Sequence, residues 1–189
     1  TNYSENLLKT MNMMIEVDVL LIRQIELKYL TKIKKLYYLL ALETGKSPNV
    51  SKLAETIDTS RATVMNYIKY LADARLLNII YHQGSVFPKK PAMVVVNNPN
   101  LIYTVYPRNF GDREILNSFF INQLRKDHTV NKERATDAYR IDGETSVRIS
   151  AEGEGESRAR GKKNYYTASS GLVVGKGRKI PLWLFGFLY

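Results

Sequence analysis

The sequence has no cysteine, one tryptophan and two histidines among its 189 residues. Without cysteine there is no disulfide, no thiolate nucleophile and no thiolate-bound zinc. Neither His82 nor His128 has a second ligand-type residue at a metal-binding spacing, so no metal site is expected. Long apolar runs are also missing. The longest nearly uncharged one, Ile180 to Tyr189, falls well short of the ~20 residues of a membrane-spanning helix. No signal peptide opens the chain. No Gly-rich loop ending in Lys-Ser/Thr cradles a phosphate, and no Gly-x-Ser-x-Gly elbow presents a nucleophile. These absences predict a cytoplasmic chain without membrane contact and without a catalytic site or cofactor of its own.

What is present suits a folded, basic protein. Hydrophobic residues make up 44% of the chain, and the net charge is +10. The excess is shared evenly: 13 Lys/Arg face 8 Asp/Glu up to Lys90, and 15 face 10 beyond it. Such a surface favours polyanions through phosphate neutralisation and counterion release.

Residue spacing predicts three regions. Residues 1–30 begin without Met and already read as helix, with Leu7, Leu8, Met11, Met14 and Ile15 on one face, followed by an apolar stretch from Val17 to Ile25. The start reads as cut from a longer protein, with 1–30 a linker or lid remnant. In 31–96, a helix from Thr31 to Glu43 buries Ile33, Leu36, Tyr37 and Leu40. A short helix follows over Val50–Ile57, with Asn49 as its N-cap. After a turn at Asp58–Ser60, a helix over Arg61–Ala74, capped by Thr59 or Ser60, buries Val64, Ile68 and Leu71. Strands at Leu76–Tyr81 and Met93–Val96 close a hairpin. Three helices, a tight turn and a hairpin make a winged helix-turn-helix. Region 97–189 is expected to be a small α/β domain, giving an α+β chain overall. Helices are predicted from Asn97 to Tyr106 and over Arg113–Lys126. Strands are predicted at Ala138–Ile141, Ser146–Ile149, Asn164–Thr167 and Leu172–Val174, with a surface loop over Ser150–Lys163. The closing apolar run is expected to thread into this domain's core, or else to form an oligomer interface through Trp183, Phe185, Phe187 and Tyr189.

In a helix-turn-helix the second helix enters the major groove of DNA. With Val64, Ile68 and Leu71 inward, the outward residues are Arg61, Thr63, Asn66, Lys69 and Tyr70. Arg reads guanine, Asn reads adenine, and Thr and Lys hold phosphates. Lys89 and Lys90 beside the hairpin are placed to touch the flanking backbone as a wing does. The same fold also serves as a protein-docking module, so the expected partner is duplex DNA or a protein. Asp137, Asp142 and Glu144 before the Ser146–Ile149 strand, and Glu152, Glu154 and Glu156 after it, fit either a Mg²⁺-holding nuclease pair or a solvated turn.

Several stretches resemble one family. They are Leu53–Ala54–Glu55, Ser60 through Leu77, Lys89 through Val94, Asn98 through Tyr103, Arg113–Glu114, Phe119 through Leu124, and Ile180 through Tyr189. Together they look like the C-terminal region of a bacterial, Bacteroidetes-type family of AAA+-like P-loop ATPases. The resemblance implies a winged helix followed by a restriction-nuclease-like domain of unknown function. It also places ATP and Mg²⁺ in an upstream ATPase domain in cis. Family members carry an Asp before one strand and a Glu-x-Gly-Gly-Lys-like sequence on the next. Asp137 matches the first acid by position, but Arg148 stands where the Glu would be and Glu152 where the Lys would be. That charge reversal implies a catalytically dead nuclease-like fold. A free-standing winged-helix transcriptional regulator and a metal-dependent nuclease are the two alternatives.

Overall fold

The computed structural model describes residues 2–21, 25–105, 111–154 and 163–188. Residues 155–162 of the expected Ser150–Lys163 loop, including Glu156, lie outside it, as do Thr1, residues 22–24, Tyr106 and Tyr189. The fold is α+β, with helices packed around one mixed seven-stranded sheet of order β2-β1-β3-β4-β5-β6-β7.

Helix α1 (Asn2–Met14) passes into a π-helical segment, Ile15–Leu21, and a 3-10 turn at Leu27–Tyr29 leads into α2 (Leu30–Leu42). The apolar residues predicted for α2 are its buried stripe: Ile33, Leu36, Tyr37 and Leu40, joined by Ala41. Helix α3 (Val50–Thr56) is capped by the Asn49 side chain, which accepts from the Lys52 N–H at 3.1 Å. Asp58 then takes φ 50°, which turns the chain sharply into α4 (Arg61–Asp73). Ser60 caps α4 by accepting from the Thr63 N–H at 3.0 Å. Strands β1 (Leu77–His82) and β2 (Met93–Val96) pair antiparallel, and a bridge from Lys46 to Val94 adds a third short member.

Met11, Ile15 and Val19 join the core of α2, α3 and α4, so α1 and the π-helical segment pack into this unit. Helix α5 (Pro99–Val105) adds Leu101 and Ile102 to the same core. A second core forms under α6 (Asp112–Leu124), around Phe120, Ile121, Tyr139 and Val147. Its strands are β3 (Val130–Lys132), β4 (Tyr139–Ile141), β5 (Thr145–Ser150), β6 (Tyr165–Ser169) and β7 (Lys179–Pro181). The β1–β2 hairpin belongs to both cores. Leu77, Val94 and Val96 face the first, while Ile80, Met93 and Val95 face the second. The outer end of β1 pairs in parallel with β3, so the sheet runs on across residue 97.

Two expectations need correction, and one strand was not foreseen. Leu172–Val174 forms no strand: Val173 and Val174 are 77% and 74% exposed, and Lys179–Pro181 occupies the edge of β6 instead. Val130–Lys132 is a strand without an apolar alternation to signal it, and β1 supplies the partner that fixes it. The closing apolar run is core only in part. Leu182 is buried and Phe185 packs edge-on against Phe120 at 4.9 Å, but Trp183, Leu184, Phe187 and Leu188 are exposed. A short 3-10 helix at Leu182–Phe187 covers the second core with one face and turns the other outward.

Candidate nucleic-acid interface

Helix α4 is anchored by Val64, Met65, Tyr67, Ile68 and Leu71, and Val64, Ile68 and Leu71 are fully buried. That anchoring decides what faces out. Arg61 and Asn66, on the first two turns, are exposed and make no contact with an acid or hydrogen-bond acceptor among the described residues. Thr63 is half-buried and its hydroxyl lies 2.8 Å from that of Ser60, so part of its hydrogen-bonding capacity serves the cap. Lys69 is tied to Asp73 one turn on, at 2.9 Å. Tyr70 is half-buried and tilts against Tyr67 with ring centres 6.4 Å apart. The outward set therefore divides into two free side chains and three engaged in the helix's own packing.

The segment between β1 and β2 folds back beside α4. Ser85, Val86 and Phe87 share a cavity with Lys69 and Asp73, and a turn from Lys89 N–H to Val86 C=O, 2.9 Å, follows. Lys89 and Lys90 are exposed in this segment. Asp58, which dilutes the positive field near the turn, is held by Lys32 at 3.2 Å.

The acidic positions of the second region are arranged differently. Asp137 lies just before β4 and accepts from Lys132 Nζ at 3.0 Å and from Arg113 Nη1. The other arm of Arg113 grips Glu154 at 3.0 and 3.1 Å, and Arg148 reaches the same carboxylate at 3.3 Å. Burial opposes ionisation of Asp137, but the hydrogen bonds and charges of Lys132 and then Arg113 outweigh it and hold the carboxyl below its usual range. Arg113 is pushed above its ordinary value, first by its hydrogen bond to Glu154. Three cations thus surround two acids. A divalent cation placed at Asp137 would meet Arg113 and Lys132 rather than a second free carboxylate.

Sequence reasoning named Asp137 and Arg148 in this cluster, left Glu154 as either a Mg²⁺-holding carboxylate or part of a solvated turn, and gave Arg113 and Lys132 no role. Glu152 stands outside the network, with its Cγ packed where a side chain on Gly171 would collide. The only signal for Glu154 was its spacing from Arg148, which a Gly-rich segment obscures. Asp142 and Glu144 are elsewhere. Asp142 and Gly143, at φ 51° and 75°, form the tight turn between β4 and β5, and the Asp142 carboxylate lies 2.6 Å from His128 Nδ1. Among the described residues no three His, Asp or Glu side chains come together as a metal site. No described helix is long and apolar enough to cross a membrane.

No curated protein and no solved structure matches this chain. Residues 4–92, just under half of it, match a family model described as Domain of unknown function (DUF8612), a span that runs from α1 through β1 and takes in α4 and Lys89–Lys90.

Proposed function

We propose that the chain is a non-catalytic recognition module that binds duplex DNA through a winged helix-turn-helix made of α2, α3, α4, β1 and β2. One observation carries this reading: Arg61 and Asn66 project, unpaired among the described residues, from the first two turns of a helix whose opposite face is fully locked. That is where a recognition helix keeps its base-reading side chains. The Asp58 turn, the Lys46–Val94 bridge and the basic segment at Lys89–Lys90 support the same layout.

The order α6, β3, β4, β5, β6, with β5 and β6 parallel, supports a restriction-nuclease-like second part. The cations around Asp137 support its being catalytically dead. With the sequence resemblance, this extends the proposal to the C-terminal arm of an AAA+-like ATPase, whose upstream domain would handle ATP and Mg²⁺.

Fluorescence anisotropy on labelled duplex DNA at rising salt tests the reading. Binding should weaken log-linearly with salt, and Arg61→Ala with Asn66→Ala should abolish sequence preference. Absence of binding at low salt would refute it. Incubation of DNA with Mg²⁺ or Mn²⁺ should yield no cleavage, and metal-dependent cutting lost in Asp137→Ala would overturn the non-catalytic part.

A further inference from the structure

Helices α4 and α6 end close together on either side of β1, leaving a cavity of about 450 Å³ between the two cores. Arg75, Arg125 and Lys126 line it with the amides of Asn78, Asn122 and Gln123, and no carboxylate of the described residues does. None of the three cations is paired with an acid among those residues; Arg125 donates one N–H to the Ile79 carbonyl.

Helix dipoles account for cations at the ends of α4 and α6. They do not account for Asn78. This β1 residue is 8% exposed, and its Nδ2 has no hydrogen-bond partner among the described residues. A buried donor left unmet is costly and rare. Nor do dipoles account for the backbone of Arg75. It sits at φ 56° just past α4, where Leu76 N–H closes on Leu71 C=O at 3.0 Å. Glycine occupies that position without strain, and arginine does not.

We propose that this cavity binds a phosphate-bearing small molecule of about nucleotide size. Three unpaired cations suit a doubly charged tetrahedral anion better than a single carboxylate. Asn78 lines the cavity, and turning its amide over presents that donor to a phosphate oxygen. The volume leaves room for a body whose polar groups meet Asn122 and Gln123. Because β1 and α4 border one side and α6 the other, the bound molecule clamps the two cores together. The site uses neither Arg61 nor Asn66, so it stands or falls apart from DNA recognition by α4.

The test is calorimetry and thermal melting of the chain with inorganic phosphate, pyrophosphate and adenosine monophosphate. At least one should bind saturably and raise the melting temperature. Asn78→Leu removes an unpaired donor and Arg75→Gly removes backbone strain. Both variants should therefore melt at or above the wild-type temperature without ligand, yet bind at least about tenfold more weakly. Arg125→Gln with Lys126→Gln, at the exposed rim, gives the same reading should either of the first two unfold. Arg61→Ala should leave binding unchanged. The proposal fails if none of the three compounds saturates, or if they bind the pocket variants as tightly as wild type. It also fails if only duplex DNA binds and the pocket variants weaken it, since the phosphate would then be that of the DNA backbone.

Discussion

Two surfaces of the molecule, one in each half, treat their polar side chains in opposite ways. On α4, the Arg61 and Asn66 side chains are held out by a buried opposite face and left without partners among the described residues. Around β4 and β5, Arg113, Lys132 and Arg148 are absorbed by Asp137 and Glu154. The two halves carry the same net excess of +5 in sequence, yet one surface remains available to an external polyanion and the other satisfies itself. Positive charge therefore points to a binding face only where geometry denies it an internal acid. Between the two lies the β1–β2 hairpin, whose alternating side chains feed both cores.

The sharpest way to break this comparison is to ask whether the halves are one folding unit. Leu71 and Phe120 are both fully buried, one in each core. Leu71→Ala should cost about 2–5 kcal/mol and Phe120→Ala about 3–5 kcal/mol. Because the hairpin is shared, each should shift a single urea transition followed by both near- and far-ultraviolet circular dichroism. A second transition that responds to only one substitution would separate the halves. Next in size is Arg61→Ala, which should weaken specific duplex binding by about 1–3 kcal/mol. Its stability should change by no more than about 0.5 kcal/mol. The same substitution at Arg148 should leave duplex binding unchanged, because that guanidinium is already committed to Glu154.

Much of the first half was legible in the sequence because its signals are local. Asn49 and Ser60 cap the helices they precede, and the apolar spacing of α2 and α4 names their buried faces. Strand β2 also falls on the residues the pattern marked. The second half depends on pairing between distant segments, and there the pattern misleads. Leu172–Val174 looks more like a strand than Val130–Lys132, yet β1 offers an edge to the latter and no described strand pairs with the former. The acidic cluster was half legible for the same reason. Asp137 and Arg148 mark adjoining strands, while Glu154 and Arg113 enter only through the fold. The seam cavity could not be read at all, since Asn78 is an ordinary strand residue until its amide is found buried and unmet.

Smaller effects sharpen the contrast further. Ser60→Ala removes the cap of α4 and should cost about 1 kcal/mol, read as a lower urea midpoint. It should also weaken duplex binding, since the first turn that carries Arg61 is then less well held. The Asp137 cluster should give the smallest effect and the most diagnostic one. Its carboxyl is held below the ordinary aspartate range, so its stabilisation is complete above that range and is lost as pH falls through the lower folded value. Asp137 is about half exposed, and solvent screening limits the contribution to under about 1 kcal/mol. Asp142 is shifted in the same direction by its hydrogen bond to His128, so acid sensitivity of the whole chain does not isolate Asp137. The difference between wild type and Asp137→Asn does. Urea midpoints should differ near neutral pH and converge on acidification. A gap that persists in acid would mean that Asp137 acts through packing and not through its charge.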